Sequence, residues 1–106
     1  MRDPLPEEGL FTRSDHYKFV REGIPSVFLM TGFEGQGAEK FRGFLATNYH
    51  RPSDEVVQVA PIDWESGARF IEVNYRIARE IADADRRPVW NKDDFFGTLY
   101  KGPMAR

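Results

Sequence analysis

An α/β fold is what the sequence predicts, on three observations. Residues 26–31 read SVFLMT, apolar on both faces where a half-exposed strand would alternate, as in a strand covered on both sides within a mainly parallel sheet. A short helical stretch and a Gly23-Ile24-Pro25 turn lead directly into it, which makes one α/β step. Residues 61–84 then form a long helix whose apolar positions cover more than half of its circumference, so it is expected to pack on two sides. The chain has 106 residues, enough for one domain over residues 1–106 and too few for two.

Taken in order, residues 1–13 carry Pro4, Pro6 and Gly9 and predict a turning entry without periodicity. Ser14 is placed to cap a two-turn helix, with Asp15 at its positive end. That helix should stop at Gly23, with Pro25 just beyond. The glycine-rich run Gly32-Phe33-Glu34-Gly35-Gln36-Gly37 closes the strand as a loop. It lacks the Lys-Ser/Thr of a phosphate cradle and reads as a glycine turn. Residues 39–46 predict a short amphipathic helix, and residues 48–54 a polar loop with Pro52.

In the long helix Pro61 is expected at or near the first position, with Asp63 and Glu65 early. At 100° per residue, Trp64, Ala68, Ile71, Tyr75, Ala78 and Ala82 share one stripe, and Phe70, Val73, Ile77 and Ile81 a second. Glu65–Arg69 and Glu72–Arg76 are expected as i,i+4 ion pairs on the charged arc. Residues 87–106 form an aromatic C-terminal tail, in which Trp90, Phe95, Phe96 and Tyr100 either strap back over the core or dock on a neighbouring chain.

A buried strand needs neighbours on both edges. The chain offers only weak ones, at Leu10-Phe11-Thr12, Val56-Val57-Gln58-Val59 and residues 96–100. Aromatic residues make up 14% of the sequence, a large burial demand for so small a domain. Both facts predict a chain that belongs to something larger, by oligomerisation or as a piece of a longer protein. Lys and Arg number 15 against 17 Asp and Glu, which leaves no electrostatic footprint for nucleic acid. The longest apolar run is far too short to span a bilayer, and no secretory signal opens the sequence. The absence of cysteine excludes disulfides and thiolate metal sites.

Local motifs carry little chemistry. The two histidines, His16 and His50, form no HExxH and no pair at helical spacing. A Ser/His/Asp triad from Ser14 or Ser53 with His50 and Asp54 lacks the G-x-S-x-G elbow that exposes such a nucleophile. Glu7 and Glu8 read as solvated charge.

Three segments in fixed order carry more. The run RSDHYKFVREGIPSVFLMTGF, then NYHRPSDEV, then a helix opening PIDWESGARF resembles the C-terminal third of co-catalytic zinc aminopeptidases, metallopeptidase family twenty-eight, over about residues 3–97. The resemblance implies the C-terminal fragment of a zinc-exopeptidase-like fold, a mixed sheet with flanking helices and two zinc ions. It implies hydrolysis of N-terminal peptide bonds by a metal-activated water. Of the metal ligands only the last histidine matches, at His50. Tyr49 matches a tyrosine that stabilises the oxyanion in some members. Ser14, Asp15 and His16 match a segment beside the cleft. Asp54, four residues after His50, is either the acceptor for the second imidazole nitrogen or the closure of an Asx-type turn. Members are often secreted or periplasmic.

The family's other ligands and its general base lie upstream of the matching segments, so the expectation is an inactive chain on its own. Its partners would be a missing N-terminal portion or further copies of itself, with peptide as the substrate of the intact enzyme. The competing expectation is a non-catalytic, self-associating module of the same fold. A glutaminyl-cyclase-like transferase is a third.

Overall fold

The computed structural model describes residues 5–59 and 61–106. Pro4 and the rest of the entry before Leu5 lie outside them. From Leu5 the chain makes two 3-10 turns, Pro6–Glu8 and Leu10–Thr12, separated by Gly9 at φ 55°. Five helices follow among the described residues: α1 (His16–Arg21), α2 (Gly37–Thr47), α3 (Val56–Val59), α4 (Trp64–Asp83) and α5 (Phe95–Leu99). No described helix is long and apolar enough to cross a membrane.

The predicted α/β sheet is not there. Among the described residues no strand forms, and the one β-bridge is isolated, joining Trp90 to Met104 in parallel. Residues 26–31 are irregular, with no backbone hydrogen bond to another of the described segments. Their apolar pattern reports a demand for burial, but a strand exists only where a second backbone completes its ladder. All three weak strand candidates are helical: Leu10–Thr12 is a 3-10 turn, Val56–Val59 is α3, and residues 96–99 lie in α5. In α5 the carboxylate of Asp94 accepts from the N–H groups of Phe96 and Gly97 at 2.9 and 3.0 Å, so capping overrides the aromatic strand preference.

Helix ends follow local chemistry more closely. Gly23, at φ 76°, closes α1 as expected: its N–H reaches the Val20 carbonyl at 2.9 Å and the Ile24 N–H reaches that of Phe19 at 3.0 Å, a Schellman arrangement. Ser14 does not cap α1; its backbone carbonyl accepts from Tyr17 instead, and Asp15 takes the N-cap position without a side-chain hydrogen bond. The predicted helix 39–46 is α2, longer at both ends. The long helix starts at Trp64, with Pro61 ahead of it. Asp63 caps it, accepting from the Ser66 N–H and hydroxyl at 2.9 and 2.7 Å, and these two bonds hold its carboxyl below the ordinary range. Glu65–Arg69 and Glu72–Arg76 pair along α4 as expected, joined by Arg79–Asp83.

The chain divides into two compact units. The first combines residues up to Leu29 with Ala78–Arg106. Leu5, Val20 and Trp90, the buried apolar side chains among the described residues, all belong to it. Trp90 organises this unit. Its indole N–H donates to the Gly23 carbonyl at 2.8 Å, its backbone N–H to Pro103 at 2.7 Å, and its carbonyl accepts from Ala105 at 2.8 Å. Gly97 and Gly102 lie against the ring so closely that a Cβ would meet it at 2.6 and 2.5 Å respectively. The tail therefore straps back: Phe96 lies 5.1 Å from Phe11, and the Tyr100 hydroxyl meets that of Tyr17 at 2.7 Å, while Phe95 stays exposed.

The second unit, Met30–Ile77, holds α2, α3 and the first part of α4. Phe33 meets Phe41 edge-on at 5.4 Å, and Phe44 meets Tyr49 at 6.1 Å. No residue of α4 is buried, so neither of its two apolar stripes is covered as the sequence requires.

Candidate functional site

The sequence-predicted residues fall in two places, one in each unit. In the second unit, the chain leaving α2 turns through residues 48–54. The Phe44 carbonyl accepts from the N–H groups of both Asn48 and Tyr49, at 2.9 and 3.0 Å, and the Arg51 N–H returns to Asn48 at 2.9 Å. Side chains then clasp the turn. Asn48 Nδ2 donates to the Ser53 carbonyl at 2.7 Å, and the Ser53 hydroxyl to the Thr47 carbonyl at 2.9 Å.

At the apex His50 adopts φ 56°, a left-handed conformation that histidine tolerates better than branched residues. Its ring stacks on Tyr49 at 4.0 Å and 21°, and the residue is exposed. An imidazole is thus presented to solvent on a turn fixed by these five side-chain and backbone hydrogen bonds, beside a phenol whose hydroxyl makes no hydrogen bond with the described residues. Asp54 closes the same turn through its N–H, which donates to the Arg51 carbonyl at 3.0 Å; no hydrogen bond joins its carboxylate to His50.

In the first unit Ser14 and Asp15 precede α1 and His16 begins it. The His16 ring lies in an aromatic sandwich, stacked on Phe28 at 4.8 Å and 2° and edge-on to Phe11 at 4.7 Å and 71°. Both ring nitrogens are shielded from water, and neither has a hydrogen-bond partner of good geometry among the described residues. Burial is the main effect on its titration and pushes the pKa below 6.5; Asp15 and the Phe11 backbone oppose it without reversing it. Nothing local in the sequence announced this sandwich, because Phe11 and Phe28 approach the ring from segments on either side of α1.

The sign of the resulting pH dependence follows. The unfolded chain takes up a proton at His16 more readily than the folded one, so stability is full above the unfolded value of 6.5 and falls as pH drops through and below it. Melting temperatures at pH 7.5 and pH 5 should differ more for the native chain than for His16→Phe. An equal difference would remove His16 from the explanation.

The two zinc ions implied by the resemblance do not fit the described residues. No group of three or more His, Asp and Glu comes together there in a way that could hold a metal ion. His50 supplies one donor, where a stable zinc site takes three or four.

Searches of curated proteins and of solved structures return no significant match. The family model described as Peptidase family M28 matches residues 1–78, a span that contains Ser14, Asp15, His16, Tyr49, His50 and Asp54. That span covers well over half of the sequence, and the chain belongs to Peptidase family M28.

Proposed function

We propose that this chain is the His50-bearing C-terminal portion of a zinc-dependent aminopeptidase that removes residues from the N-terminus of peptides. The observation that carries the reading is the clasped turn, which offers His50 to solvent at φ 56° with Tyr49 stacked beside it. In the assembled site His50 would hold the metal through one imidazole nitrogen, and the metal would supply a polarised carbonyl and an activated water. Tyr49 offers a neutral hydrogen-bond donor to the carbonyl oxygen as it gains charge. Asp54, on the same turn, orients the imidazole once the remaining ligands are in place. No group of three or more His, Asp and Glu among the described residues could hold a metal ion, so the reading assigns the remaining ligands and the base to the missing portion.

The chain contains only two histidines, which makes the test clean. Adding zinc to metal-stripped protein should perturb the imidazole NMR resonances of His50 and leave those of His16 in place, with weak binding by calorimetry that is lost in His50→Ala. No hydrolysis of an aminoacyl anilide should accompany it. Zinc that perturbs His16 instead, or binding unchanged by His50→Ala, would overturn the assignment.

A further inference from the structure

Helix α1 is too short to hold itself. It has six residues, and isolated helices shorter than about 12–15 residues are marginal in water. No side chain caps its start, since Asp15 stands at the N-cap without a side-chain hydrogen bond. The C-terminal tail supplies what is missing and grips both ends. Beyond its last turn the Trp90 indole donates to the Gly23 carbonyl at 2.8 Å. In its first turn the hydroxyls of Tyr17 and Tyr100 meet at 2.7 Å, with the two rings edge-on at 6.3 Å. Phe96 of α5 lies beside the same turn, 5.9 Å from Tyr17 and 5.1 Å from Phe11.

Two anchors do what one cannot. A tie at Gly23 alone leaves α1 free to swing about that point, whereas a second tie at Tyr17 sets both its direction and its rotation about its own axis. That rotation decides where Ser14, Asp15 and His16 stand. His16 is the first residue of the helix, and the Tyr17 and Lys18 N–H groups bond back to the Ser14 and Asp15 carbonyls at 3.0 and 3.1 Å. The tail accepts backbone strain to make both ties. Lys101 adopts φ 53°, a left-handed conformation unfavourable to a residue with a Cβ. On one side of it stands Tyr100, and on the other Gly102, which fits against Trp90. Strain of this kind persists only where the surroundings determine the backbone. Both ties come from beyond residues 1–78, the span that the family model matches. We infer that the tail is a positioning strap for the segment Ser14-Asp15-His16, and that Tyr100 is the positioning residue that sets it through Tyr17. What the strap serves rests on the peptidase reading, in which this segment stands beside the cleft.

His16 reports the strap directly. Its ring lies between Phe28 and Phe11, whose ring currents displace its imidazole NMR resonances, and His50 is the only other histidine. Tyr100→Phe removes one hydroxyl and keeps the ring. In the full chain it should shift or broaden the His16 resonances, while those of His50 and the indole N–H resonance of Trp90 stay in place. Tyr17→Phe should do the same, and the double variant should go no further than either, because the two hydroxyls form one contact. A residue that only adds stability would lower the melting temperature without moving His16. His16 resonances unchanged in Tyr100→Phe, or effects of the two substitutions that simply add, would overturn the inference. Zinc binding is read at His50, so a failure of the peptidase reading would appear there and not in these spectra.

Discussion

Replacing Trp90 with alanine is expected to cost about 3–5 kcal/mol, the range for emptying a large buried aromatic site. The residue is 8% exposed, and its indole N–H satisfies the Gly23 carbonyl at the end of α1. Truncation therefore opens a cavity between α1 and the tail and also leaves that carbonyl without its donor. A domain is stable by about 5–15 kcal/mol in total, and Leu5 and Val20 are the other buried apolar side chains among the described residues. The outcome should be loss of a cooperative thermal transition monitored by near-ultraviolet circular dichroism. A melting curve close to that of the native chain would mean that Trp90 is not the centre of the first unit.

Gly102→Ala should be the next most damaging change. The added methyl would collide with the Gly23 carbonyl oxygen, sit 2.5 Å from the Trp90 ring nitrogen and break the contact between them. Neither neighbour is a flexible side-chain end, so relief requires backbone movement, typically at about 1–3 kcal/mol. Gly67 is the matched control. It lies on α4 with open space around its Cα, and alanine there should raise stability by about 1 kcal/mol through helix propensity. Chemical denaturation of the two variants should move their midpoints in opposite directions. Midpoints that fall together would indicate that the Gly102 contact is not tight in solution.

Features decided within a few residues were legible in the sequence. The stop of α1 at Gly23, the amphipathic α2, the ion pairs of α4 and the polar turn ahead of Asp54 each depend on local chemistry. The sheet was misread because the run at residues 26–31 encodes a need for burial and not the presence of a neighbouring backbone. The weak strand candidate at residues 96–100 falls largely within α5 for the opposite reason, since two hydrogen bonds to Asp94 outweigh its strand preference. The role of Trp90 was hidden because it rests on glycines at 97 and 102 lying against its ring and on a carbonyl 67 positions from its indole. At the candidate site the motif pointed to His50 and Tyr49, whereas the left-handed backbone that presents them is a property of the closed turn.

The first unit is discontinuous, and that has a consequence for how the protein is made. Its central hydrogen bond spans 67 positions and its tyrosine pair spans 83, with Met30–Ile77 inserted between the two halves. Synthesis runs from the N-terminus at about 5–20 residues per second. Residues 30–77 therefore emerge and can begin to fold while Leu5 and Val20 still lack their partner. Only when Trp90 and the glycines after it have left the ribosome can Leu5 and Val20 gain the partner that completes this unit. For those seconds their apolar side chains are a target for chaperones, and a stall before residue 90 prolongs that exposure.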